Sequence, residues 1–120
     1  GHEPPYESGD GVTLARASLT KTFSGGLDAT STVQMLGAQT PVQGSAGYVA
    51  LERVIGRLGT RSGSFVLQHN GWMRSGETHL TVAVVPDSGT GELRGLSGAM
   101  SIRIQDGQHY YAFDYLLPRD

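Results

Sequence analysis

No cysteine occurs in the 120 residues, so a disulfide scaffold and any Cys-ligated zinc or iron-sulfur site are excluded. Charge is scarce too, at 17% of residues, with 9 Lys and Arg against 11 Asp and Glu and a formal net charge of -2. With no basic excess to neutralise phosphates, binding to nucleic acid or to an anionic membrane through a charged face is not expected. Long apolar runs are missing as well. The longest, such as residues 82–85, fall far short of the ~20 that a spanning helix needs. No basic stretch followed by an apolar segment opens the sequence, and the expected location is the cytoplasm. Glycine, in contrast, is plentiful at 18 residues. A chain of this length buries roughly two-thirds of its unfolded surface, enough for one domain without staples.

The dominant pattern is alternation. Residues 1–11, with two prolines and three acids, read as an irregular lead-in, and one domain is expected over 12–118. From 12 to 23, Val12, Leu14, Arg16 and Ser18 alternate with Thr13, Ala15, Ala17, Leu19, Lys21 and Phe23, which is strand periodicity. Similar runs cover 30–40, 62–73, 78–85, 100–105 and 109–117, and the Asp106-Gly107 pair between the last two is a hairpin signal. Residues 48–58 fit two periods. Tyr48, Leu51, Ile55 and Leu58 recur at helical spacing, while Gly47 and Gly56 each cost a helix about 1 kcal/mol and favour a strand. Gly56, Leu58 and Gly63 are echoed 35 residues later by Gly91, Leu93 and Gly98, suggesting glycine-punctuated corners. About seven or eight short strands without a convincing helix give an all-β fold, a single small antiparallel barrel.

Three stretches, beginning at Ser45, Arg61 and Val85 and reading SAGYVALERVIG, RSGSFVLQHNG and VPDSGTGELRGLSG, resemble a bacterial family of uncharacterised proteins, DUF3224. The similarity runs from about Pro4 to Pro118. It implies an allene oxide cyclase-like β-barrel, settles 48–58 as strand and implies no activity. Family members usually carry one more strand before Pro4-Pro5-Tyr6, so a barrel edge is expected to lie open or to be filled by another chain, and a homodimer is a candidate assembly.

The polar residues that a barrel would turn inward are the candidates for chemistry. Glu52 shares a face with Tyr48, Ala50 and Val54, where desolvation would tune a carboxylate for acid or base work. His69 follows Phe65 and Leu67 on one face and is the best general base in the chain. Both residues also have a structural reading, which is the commoner one for such groups: an arginine-paired carboxylate and a satisfied core histidine. Tyr111, Phe113 and Tyr115 share a face of the last strand and, with Tyr48, Phe65, Gln68 and Trp72, are candidate contacts for an apolar or aromatic ligand, or plain core. His2, His69, His79 and His109 form no His-x-His or His-Glu-x-x-His set, so neither metal nor cofactor is expected. The glycines of residues 88–95 lack the ending of a phosphate loop and read as turns. The leading expectation is a small-molecule-binding barrel. The alternatives are a cofactor-free isomerase, cyclase or lyase using Glu52 and His69, and a dimerisation module without ligand.

Overall fold

The computed structural model describes residues 3–118, apart from the side chains of 104, 105 and 109. Eight strands form one antiparallel meander: β1 (Glu7–Gly9), β2 (Val12–Phe23), β3 (Leu27–Gln39), β4 (Ala46–Leu58), β5 (Arg61–Arg74), β6 (Glu77–Val84), β7 (Ser97–Gln105) and β8 (Gln108–Leu116). Each pairs with its neighbours in sequence, and the stretch that fits both periods is strand β4. Within residues 1–11, Glu7–Gly9 is strand because Asp10 and Gly11, at φ 54° and 80°, make a tight two-residue turn onto β2. Ser75-Gly76 and Asp106-Gly107 adopt the same positive φ values and join β5 to β6 and β7 to β8. Such turns match the twist of the strands they join.

Alternation is realised as one buried and one exposed face. Along β4, Ala50, Glu52 and Val54 are buried, while Val49, Leu51, Arg53 and Ile55 are exposed. The face bearing Ala50 is concave. Phe113 of β8 stacks on Phe65 of β5 with ring centres 5.8 Å apart, and Tyr111 meets Phe23 of β2 edge-on at 5.4 Å. The sheet thus curls until its last strand reaches over its earlier ones. Between them lies the core of Phe23, Val54, Leu58, Phe65, Leu67, Val82, Val84 and Met100, closed from below by Leu93 and Leu96.

Those two leucines come from the segment after β6, which contains a 3-10 turn at Gly91–Leu93. It replaces β6 as the partner of β5. The Val66 amide donates to Ser88 Oγ at 3.0 Å, the Ser64 amide to Thr90 Oγ1 at 3.0 Å, and the Ser62 amide to Glu92 Oε1 at 3.0 Å. Alternate side chains of the motif therefore satisfy alternate donors of the strand. A Cβ on Gly63 would run into the Thr90 carbonyl oxygen, so glycine there permits the approach. The glycine echo is not a structural repeat, since Gly56 and Leu58 lie inside β4 while Gly91 and Leu93 lie in the 3-10 turn.

The expectation of a closed, allene oxide cyclase-like barrel is corrected. Among the described residues no ladder joins β8 to β1 or β2, and the sheet stays open. Two features account for this. β1 covers only Val12, Thr13 and Leu14 of β2, leaving the rest of that edge unpaired by any strand. The β6–β7 ladder has only two pairs, Val82 with Met100 and Ala83 with Ala99, after which the final hairpin diverges from β6.

Candidate functional site

Midway along the concave face, three neighbouring strands place polar residues among apolar ones. Register sets Glu52 opposite Val33 and Leu67, His69 opposite Ala50 and Val82, and Ser31 opposite Lys21 and Val54. Diagonal neighbours on one face lie within side-chain reach. His69 Nε2 lies 2.7 Å from Glu52 Oε1, Ser31 Oγ donates to Glu52 Oε2 at 2.5 Å, and Lys21 Nζ stands 3.6 Å from Oε1. Glu52 is 1% exposed and His69 4%.

Burial alone would raise the Glu52 pKa, since it disfavours charge. The hydrogen bonds from His69 and Ser31, with the positive charge of Lys21, outweigh that effect and hold it below its ordinary value. Glu52 is therefore a carboxylate. A carboxylate only accepts, so His69 carries a proton on Nε2 and donates it. Among the described residues no buried side-chain nitrogen or oxygen lacks a partner.

On either side of this cluster the concave face differs. Toward the β4–β5 turn it is filled by Val54, Leu58, Phe65 and Leu67. Toward the other end the inward positions are Ala15 and Ala17 on β2, Met35 and Gly37 on β3, Tyr48 on β4 and Gly71 on β5. These residues line a groove of about 740 Å³, walled also by Leu80 and Ile102. The Tyr48 ring lies over Gly71, where a Cβ would come within 2.5 Å of Tyr48 Cε1. Burial first, and the Glu52 charge second, push the Tyr48 phenol above its ordinary pKa, so it stays protonated. Neither Glu52 nor His69 lines the groove.

A second cavity, of about 660 Å³, lies where β8 passes the β2–β3 turn. Phe23, Leu27, Leu58, Met100, Tyr111, Phe113 and Tyr115 line it. The candidate residues are thus divided. Glu52 and His69 are brought into contact with Tyr48 nearby. Phe65 is core, under Phe113, and Tyr111, Phe113 and Tyr115 border the second cavity. Gln68 is exposed on the convex face, beside Leu51. Trp72 is among the residues lining the groove, but it alternates with Gly71 and its ring stacks on His79 at 4.1 Å. Lys21 and Ser31 were not foreseen. Their signal was Lys21 sharing a face with Leu19 and Phe23, an inward position for a charged residue.

No group of three or more His, Cys, Asp or Glu residues that could hold a metal ion occurs among the described residues. No helix is long and apolar enough to cross a membrane, which says nothing of crossing by strands.

The sequence matches a family profile described as a protein of unknown function, DUF3224, over residues 2–115. The fold is similar to the crystal structure, at 1.84 Å, of a DUF3224 protein of unknown function from Shewanella oneidensis MR-1. The two share 52% identity and a TM-score of 0.92, over 99% of this chain and 90% of that one. No curated protein matches the chain.

Proposed function

The chain belongs to the DUF3224 family, and we propose that it binds a small, largely apolar molecule in the groove on the concave face of its sheet. One observation carries this reading: Ala15, Ala17, Gly37, Ala46 and Gly71 of four neighbouring strands line an uncovered stretch of the concave face, whereas the Ala29, Gly56 and Gly63 positions at its other end are covered by Leu93 and its neighbours. The volume left, about 740 Å³, lies within the 300–1,000 Å³ range of ligand pockets. The wall is predominantly apolar and the polar cluster at its inner end is internally satisfied, so hydrophobic contact would supply most of the affinity. A thermal-shift screen with neutral aromatic compounds tests the proposal. A ligand at 100 times its dissociation constant adds about 2.7 kcal/mol, and Ala17→Trp, which fills the groove, should abolish the gain. A screen without hits, or gains that survive Ala17→Trp, would refute it.

A second reading is favoured by the contact of 2.7 Å between His69 and Glu52. A carboxylate that orients an imidazole is the arrangement of a general base. On this reading the protein is a cofactor-free isomerase or lyase. Its test is deuterium exchange at the carbon next to the carbonyl of a bound ketone. Exchange that is faster than in buffer and lost in His69→Ala supports catalysis, and exchange at the buffer rate leaves binding alone.

A further inference from the structure

We infer that the groove selects a neutral molecule with an apolar body and a hydrogen-bond-accepting oxygen, such as a ketone or ester, and that the Tyr48 hydroxyl donates to that oxygen. This rests on the binding reading above and adds the polarity of the ligand. Tyr48 is half-buried on the groove wall, and its ring is held against Gly71. Among the described residues no protein group hydrogen-bonds its hydroxyl. Of the other side-chain donors that line the groove, Thr13, Gln39 and Thr78 lie one inward row of pairs beyond Tyr48, away from Glu52. Ala15, Ala17, Met35, Leu80 and Ile102 are apolar, and Arg16, although it contributes to the lining, alternates with Ala15 and Ala17 toward the convex face.

The charges nearby disfavour an anion. Glu52 is a carboxylate within electrostatic reach of Tyr48, and Glu3 lines the same groove. Lys21, which faces the same side, is engaged by Glu52. A ligand carboxylate would lose its hydration and meet two like charges, a cost that contact with an apolar wall does not offset. The phenol stays protonated because burial and the Glu52 charge oppose its ionisation, and it acts as donor across the working pH range.

Three compounds with one ring system test the inference on the intact protein by calorimetry: 2-acetylnaphthalene, 2-ethylnaphthalene and 2-naphthoate. The ketone should bind about fivefold tighter than the hydrocarbon, the ratio one net hydrogen bond supplies, and the carboxylate should bind weakest. Tyr48→Phe should bring the ketone to within twofold of the hydrocarbon while leaving the hydrocarbon's affinity in place, which also shows that the variant is folded. Naphthoate equalling or exceeding the ketone, or a ketone preference unchanged in Tyr48→Phe, overturns the inference while binding in the groove stands. Failure of all three compounds to bind overturns both.

Discussion

The two ends of the concave face share strands, ladders and alternation, yet one is packed and the other is hollow. Below Glu52 the inward positions of β4 and β5 include Val54, Leu58, Phe65 and Leu67, sealed by Leu93 and Leu96. Above it the same strands and their neighbours turn Ala15, Ala17, Gly37 and Gly71 inward, and a groove remains. The difference lies in what covers the face: Leu93, Leu96 and Phe113 lie over the lower end, where Ala29, Gly56 and Gly63 also face inward, while the final hairpin diverges from β6 after two residue pairs. The lower half carries the stability, and the upper half carries the free surface that a ligand would cover.

Substitutions in the two halves should therefore behave differently. The largest expected effect is Phe65→Ala, which removes a fully buried ring stacked on Phe113. It should lower the unfolding free energy in urea by about 4 kcal/mol. A loss below about 1 kcal/mol would mean that the lower half is not the packed core. At the boundary, His69→Ala leaves a cavity and removes a donor from a buried carboxylate, so a loss of about 3 kcal/mol is expected from the same measurement.

Acid should act through that boundary as well. The folded pKa of Glu52 is lowered from its ordinary 4.5. The stabilisation from its ionised form is therefore complete above about pH 4.5 and is lost as the pH falls through the depressed folded value. Glu52→Gln should flatten this acid limb in a series of denaturation curves, and an unchanged limb would show that other carboxylates govern it. The smallest effect on stability belongs to the hollow half. Ala17→Leu adds volume where space exists, so it should change stability by less than about 1 kcal/mol while weakening any groove ligand at least tenfold.

Much of this contrast was legible in the sequence. Alternation identified β2 and β5 to β8, residues 48–58 fitted two periods and were settled as strand by the family resemblance, and the shared face of Tyr48, Ala50, Glu52 and Val54 marked that side as internal. The Asp106-Gly107 turn was recognised, whereas Asp10-Gly11 and Ser75-Gly76, which have the same backbone geometry, went unread. The first lay among prolines and acids, and the second lacked the Asx residue that flags such turns. The contact between Glu52 and His69 depends on a register that sets Ala50 against His69, and alternation within one strand carries no register. Closure was misjudged for a related reason. Whether a meander seals depends on the length of its edge pairings, here three residue pairs at β1 and two between β6 and β7. The motif at 85–98 read as turns, because side-chain bonds to β5 leave no periodic trace.

Methyl-resolved NMR during titration with 2-acetylnaphthalene tests the central claim most directly. Selective shifts are predicted at Ala15, Ala17, Met35, Leu80 and Ile102, with Val54, Leu58, Leu67 and Leu93 unmoved. Shifts concentrated at the packed end, or spread over exposed Val49, Leu51 and Ile55 on the convex face, would contradict it.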